Sequence, residues 1–284
     1  ATGRLDDMSV GIECLLTDCP ETADNCADIL NKINLERRNI ESMMKDQAFK
    51  YVENINKNDL PDCICIYEQS WHQGIVGLIA ARVKEKYHRP VIAFAREGGD
   101  TLKGSARSVN GINIRDLLEA VSKSKPGLIK KFGGHAMAAG LTLTESSFKC
   151  FKKIIVEQMQ YLYPNADLSG AILIDGQLPA SLLNLNFARS LRTAGPWGTS
   201  FPEPIWSGDF IVLEQRIVGE KHLKLRVESM DSKNIIEAIA FNQASEELHK
   251  KVQLIFRLDV NKFRNIESPQ LIVEKIISLH EEVT

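Results

Sequence analysis

Between Cys63 and Phe94 the chain spells strand, helix, strand, and this unit limits the fold more than any other stretch. Cys63-Ile64-Cys65-Ile66-Tyr67 is an apolar run of the length of a buried strand. Ile75, Ile79, Val83 and Tyr87 then recur at four-residue spacing, one face of a helix. Pro90-Val91-Ile92-Ala93-Phe94 reads as a second buried strand. At the mouth of the helix stand His72, Gly74 and Gly77, and the glycines let backbone come close to a ligand or a neighbour. A helix N-terminus attracts anions through its free amides and dipole. His72 therefore reads either as a contact at such a site or as a turn residue bonded to its own loop.

Two further strings carry chemistry. In Leu102 to Gly111, LKGSARSVNG, Ser105 and Arg107 are two residues apart and face the same way in an extended strand. A hydroxyl and a planar guanidinium on one face make a compact receptor for phosphate oxygens. The plainer alternative is a strand end carrying a surface ion pair. In Lys131 to Gly140, KFGGHAMAAG, Gly133 and Gly134 precede His135. A Gly-Gly pair opens backbone conformations closed to other residues, and a histidine beside it can donate, accept or titrate. The alternative is a tight turn before a buried strand, with His135 a satisfied core residue.

The net charge of −2 excludes a generally basic nucleic-acid binder, so any DNA contact must come from a local patch. The six cysteines form no Cys-x-x-Cys pair, and reduced thiols of a cytoplasmic protein are the default for them. No signal peptide and no apolar run of membrane-spanning length is found, which disfavours secretion and membrane insertion. None of the six histidines has an adjacent aspartate cluster of the kind that builds an oxygen-rich two-metal site, and no Asp-His-His occurs. No metal ligand is expected in the chain.

Residues from Asp18 to about Asn58 are expected to form one long helix, capped by Asp18 or Cys19 and started by Pro20. A helix so polar bridges domains; a coiled coil would need a heptad that does not persist. Ile114 to Ser124 and Glu145 to Tyr163 read as helices, Met137 to Thr144 as a strand of small residues, and Asn165 to Gly170 as a polar link. Beyond lie five strands: Trp206 to Ile217, Lys221 to Met230, Ile235 to Phe241, Val252 to Asn261 and Gln270 to Ser278. With a short helical insert near Glu246 to His249 they fit a small barrel of the OB type. Such barrels bind single strands through a basic groove with stacking aromatics. Lys221, His222, Lys224, Arg226, Lys262, Phe263 and Arg264 are the candidates, against a plain solvated strand face.

WHQGIVG, LKGSARS and KFGGHAMAAG, in this order and spacing, resemble the DHHA1 domain of the DHH phosphoesterase superfamily. With the opening GRLDD, AGPWGTSFPEP (Ala194 to Pro204) and VGEKHLKLRV (Val218 to Val227), the chain resembles the bacterial RecJ exonucleases over nearly its whole length. The resemblance implies an α/β DHHA1-like domain over residues 60–165, preceded at 1–59 by the end of a DHH region and a long linker helix. A mainly β, OB-like nucleic-acid-binding domain follows over 166–284. It implies a C-terminal portion of a metal-dependent 5′→3′ single-stranded-DNA exonuclease of repair and recombination, a hydrolase using Mn2+ or Mg2+ in a catalytic domain that precedes these residues. Alone, the chain is expected to be inactive. By resemblance Ser105 and Arg107, with Arg4 and His72, hold the 5′ phosphate. Gly133, Gly134 and His135 contact the phosphate region beside the metal site, His135 as the catalytic group. Implied partners are single-stranded DNA, a single-strand-binding protein and a RecQ-type helicase, for a cytoplasmic monomer. Two other readings remain: a stand-alone single-strand-binding adaptor, whose affinity would need no metal, and a phosphoesterase of oligonucleotides or cyclic dinucleotides. The strand-rich tail argues against the second, as it does against an alanyl-tRNA synthetase origin.

Overall fold

Both apolar runs of the strand-helix-strand unit are buried on two sides, which explains why they are continuous rather than alternating. The computed structural model describes residues 2–55, 60–198, 201–244 and 250–279. The chain divides into two units, Ala1–Ala171 and Ile172–Thr284.

The first unit begins with two short helices, α1 (Thr2–Leu5) and α2 (Ser9–Leu16), which no pattern in the sequence separates. The long helix α3 spans Pro20–Glu53, with Cys19 at the N-cap and Pro20 in the first turn as expected. It ends at Glu53, short of the expected Asn58, which lies outside the described residues. Only part of it is buried: Cys26 near its start, and Met44, Ala48 and Val52, four residues apart, which pack on the sheet side.

The sheet contains β1 (Ile64–Tyr67), β2 (Val91–Gly98), β3 (Thr101–Arg107), β4 (Lys131–Gly134) and β5 (Ala138–Thr144), in the order β1-β2-β3-β5-β4. β1 and β2 are parallel, joined by α4 (Val76–Tyr87); the other pairings are antiparallel. Alternation sorts the two faces. Cys65, Ile92, Phe94, Leu102, Ala106, Leu141 and Leu143 face α5 (Ile114–Ser124) and α6 (Phe148–Leu162). Ile64, Ile66, Val91, Ala93 and Ala95 face α3 and α4. Phe94 is fully buried and its ring meets Phe148 and Phe151 edge-on. A side chain of this size contributes about 1.5–3 kcal/mol by leaving water. Asn113 caps α5 by accepting from the amides of Arg115 and Asp116. The helix expected from Glu145 starts instead as a 3-10 turn, Glu145–Ser147, before α6.

In the second unit, β7 (Trp206–Val218), β8 (His222–Ser229), β9 (Ile235–Ala240), β10 (Lys251–Phe263) and β11 (Ile266–Ser278) form a closed five-stranded barrel. β10 pairs with β7 to complete the circle, and β9 with β11 is its parallel contact. A two-residue strand, β6 (Gly176–Gln177), adds to β7. Leu223, Leu225 and Val227 of β8 and Val252, Leu254, Phe256, Leu258 and Val260 of β10 fill the interior. A helix not expected from the sequence, α7 (Leu185–Thr193), contributes Ala188 and Leu191 to this core. It is capped by Asn184, which accepts from Phe187 N–H. The helical insert expected near Glu246 to His249 lies outside the described residues.

Candidate functional site

β3 has an apolar face and a polar one. Leu102, Gly104 and Ala106 are buried; Lys103, Ser105 and Arg107 alternate with them on the other side. Helix α4 lies across that polar side, and its first turn comes down on Ser105 and Arg107. A Cβ added at Gly77 would stand 3.0 Å from both Arg107 Nη2 and Ser105 Oγ. The loop before α4 receives the N-terminal helix: a Cβ at Gly74 would stand 1.8 Å from the Arg4 carbonyl oxygen. Only glycine permits that approach.

These elements border a cavity of about 300 Å³, partly open to solvent and lined by Arg4, Gln73, Gly77, Lys103, Ser105 and Arg107, among others. Arg107 Nη1 donates to Ser105 Oγ at 3.1 Å and to the Ala106 carbonyl at 2.8 Å. Burial, and behind it the positive charge of Arg4, hold the Arg107 pKa below its ordinary value. Two guanidiniums thus converge, and among the described residues no acidic side chain lines the cavity. Arg107 is half-buried and Arg4 exposed, so solvent carries part of the cost of leaving their charges without a carboxylate. An oxyanion placed here would meet charge-assisted donors from both arginines and a hydroxyl.

Of the residues expected from the sequence, Arg4, Ser105 and Arg107 meet in this cavity. His72 does not line it; its Nδ1 accepts from Gly74 N–H at 3.1 Å, so the turn alternative describes its hydrogen bond. Gly133 and Gly134 are not the turn itself but the end of edge strand β4, opposite Gly140 and Ala139. Gly134 has φ +147, which other residues rarely adopt. The turn comprises His135 to Met137, closed by His135 N–H donating to Ala138 O at 2.8 Å. His135 is exposed, which removes the buried-core alternative for it. Ser108, from the same motif as Ser105, is buried and donates to Ile112 O, a structural role. Lys103 and Gln73 were missed, although the period-two pattern Lys103-x-Ser105-x-Arg107 already put Lys103 on the site's face.

On the barrel, His222, Lys224 and Arg226 share the outer face of β8 as expected. Lys224 is paired with Glu237 at 2.7 Å and Arg226 with Glu214 at 2.9 Å. His222 Nδ1 accepts from Asn242 N–H, and its ring meets Phe241 edge-on at 5.2 Å. Lys262, Phe263 and Arg264 sit at the β10–β11 hairpin, whose two-residue turn Arg264-Asn265 has positive φ at both positions. Phe263 is 65% exposed, with the Arg264 guanidinium 5.2 Å from its ring centre. Lys221 precedes β8, its carbonyl accepting from Ala244 N–H.

Among the described residues no group of three or more His, Cys, Asp or Glu side chains is placed to hold a metal ion. No helix among them is long and apolar enough to cross a membrane.

Residues 61–160 match the family profile of the DHHA1 domain, and residues 174–275 that of the RecJ OB domain. The chain is 44% identical over 283 residues to the single-stranded-DNA-specific exonuclease RecJ of Escherichia coli (strain K12), across 97% of this chain and 49% of that protein. It is 40% identical over 290 residues to the same-named protein of Haemophilus influenzae, across 99% and 50%. The crystal structure of RecJ from Thermus thermophilus in complex with Mg2+ shares its fold, with a TM-score of 0.74 over 98% of this chain and 42% of that one, at 24% identity. A second structure of the T. thermophilus protein, in complex with Mn2+, matches with the same TM-score over 98% of this chain and 40% of that one. The chain spans about half the length of the curated relatives it matches. Carrying a DHHA1 domain followed by an OB domain, the chain belongs to the RecJ family.

Proposed function

We propose that this chain is the substrate-binding portion of a 5′→3′ single-stranded-DNA exonuclease of repair and recombination, and that it recognises the phosphorylated 5′ end. The observation that carries the reading is the cavity in which Arg4, Ser105 and Arg107 converge under the first turn of α4, with no acidic side chain lining it among the described residues. Arg107 grips the terminal phosphate through its fork of donors, Ser105 adds a short hydrogen bond, and Arg4 supplies the second charge. The Gly133-Gly134-His135 edge lies two strands away across β5. It contacts the phosphate region where bond cleavage takes place, and an exposed imidazole there can stabilise developing charge.

The relatives' Mg2+ and Mn2+ complexes support divalent-metal chemistry in the complete enzyme. The described residues of this chain do not fit such a site, since no cluster of ligands is present among them. No step through a metal is assigned to them. The chain alone is therefore expected to release no nucleotide from 5′-labelled single-stranded DNA in the presence of manganese. Mononucleotide release above that of a heat-inactivated control would overturn this.

The barrel supplies the second contact with the strand. With Lys224 and Arg226 held by carboxylates and Lys262 opposite Glu267, Lys221 and Arg264 carry its electrostatic share, and Phe263 offers a stacking ring. Each phosphate neutralised on a single strand contributes about −0.7 to the slope of log affinity against log salt. A 5′-hydroxyl strand should bind weakly, with a slope of about −1.4 for two cations. An affinity unchanged between low and moderate salt would contradict the assignment. A cytoplasmic monomer that meets a single-strand-binding protein and a RecQ-type helicase belongs to the same proposal.

A further inference from the structure

The cavity over β3 holds one cation more than a single terminal phosphate uses. Lys103, Ser105 and Arg107 step along one face of the strand at about 6.6 Å per pair of residues. Arg4 and Arg107 form one group; Lys103 lines the same cavity two side chains further along the strand. Its Nζ lies 3.2 Å from Glu97 Oε1, and about half of its side chain is exposed.

The register sets the direction in which Lys103 lies. Arg107 is opposite Ala138, the first residue after the His135 turn, whereas Lys103 is opposite Thr142, four residues further along β5. A strand of DNA that leaves a phosphate on Arg107 and heads for His135 runs away from Lys103. Lys103 thus faces whatever lies on the other side of the terminal phosphate. The cavity, about 300 Å³ and partly open to solvent, extends as far as Lys103. Its described lining is free of acids, because Glu97, the partner of Lys103, is not part of it.

We propose that Lys103 adapts this cavity to 5′ ends carrying more than one phosphate. The α-phosphate sits on Arg4, Ser105 and Arg107. The β- and γ-phosphates lie along β3 toward Lys103, which exchanges Glu97 for them. The substrate class is a 5′-di- or triphosphorylated single strand. The inference rests on the terminal-phosphate reading above and adds a specificity residue to it.

The test is equilibrium binding of the 284-residue chain to matched fluorescent single strands ending in a 5′-hydroxyl, a 5′-monophosphate or a 5′-triphosphate. The triphosphate strand is expected to bind most tightly. Lys103→Ala should weaken it about tenfold, the loss of one charge-assisted hydrogen bond, and leave the monophosphate strand unchanged. Glu97→Gln frees the lysine and should tighten only the triphosphate strand, a gain that a structural role for Lys103 does not produce. The proposal is overturned if the triphosphate strand binds no better than the monophosphate strand. It is equally overturned if Lys103→Ala weakens both alike, which would make Lys103 a contact to internal phosphates. If Arg107→Ala leaves all three strands unchanged, the terminal-phosphate reading itself falls, and this inference with it.

Discussion

Replacing Arg107 with alanine is expected to lower the affinity for 5′-phosphorylated single-stranded DNA by about ten- to a hundredfold, and to leave 5′-hydroxyl strands unaffected. One charge-assisted hydrogen bond contributes on the order of 1.5–3 kcal/mol, about one to two decades of affinity. Arg107 can make two such bonds in parallel through Nε and Nη2, because Nη1 is already held by Ser105 Oγ and the Ala106 carbonyl while Nη2 stands beside Gly77. Arg107→Lys keeps the charge and loses the fork, so it should recover only part of the loss. Titrating both strands against the three proteins checks this. Equal losses on both strands would make Arg107 a general backbone contact instead of an end reader. In the complete enzyme, His135→Ala should lower turnover more than binding, as expected for a group acting on charge that appears in the transition state.

Gly74→Ala should damage the same site without touching a phosphate ligand. The new methyl group would stand 1.8 Å from the Arg4 carbonyl oxygen, and backbone cannot yield as a side-chain tip does. The α1 helix must move off the loop, which draws Arg4 out of the cavity. Monophosphate affinity should fall about tenfold, as for the loss of one cationic contact. Forcing a methyl group into filled space also costs about 1–3 kcal/mol of stability. Arg4→Ala gives the control: a similar loss of affinity with an unchanged unfolding transition. If Gly74→Ala binds phosphorylated strands like the parent chain, α1 does not position Arg4 as described.

The elements legible in the sequence are those whose pattern is local. α5 spans Ile114–Ser124, the same residues that the periodicity marks, because its buried positions Ile114, Leu117, Leu118 and Val121 recur at helical spacing. The five barrel strands are legible within a few residues because outward and inward side chains alternate along them. The α7 helix is not, because only Ala188 and Leu191 of its nine residues are buried, too few for a periodic signal. β4 reads locally as a turn, since Gly-Gly favours turns, and only hydrogen bonding to β5 makes an edge strand of it.

The candidate site divides along the same line. Period two alone put Ser105 and Arg107 on one face, and the chemistry of a hydroxyl beside a guanidinium already suggested an anion. The pairing of Lys224 with Glu237 and of Arg226 with Glu214 was invisible, because the partners lie 13 and 12 residues away in sequence and meet only across β8's neighbours. Arg4 is far from Ser105 along the chain, and its approach to Arg107 depends on a glycine at position 74 yielding space to a carbonyl. The sequence by itself determined the strands and helices whose pattern is local, though not α7 or β4, and the residue types able to hold a phosphate, because these follow from spacing and side-chain chemistry. Tertiary structure alone decided which cations remain without a carboxylate, because charge compensation depends on distances between residues that the chain brings together only when it folds.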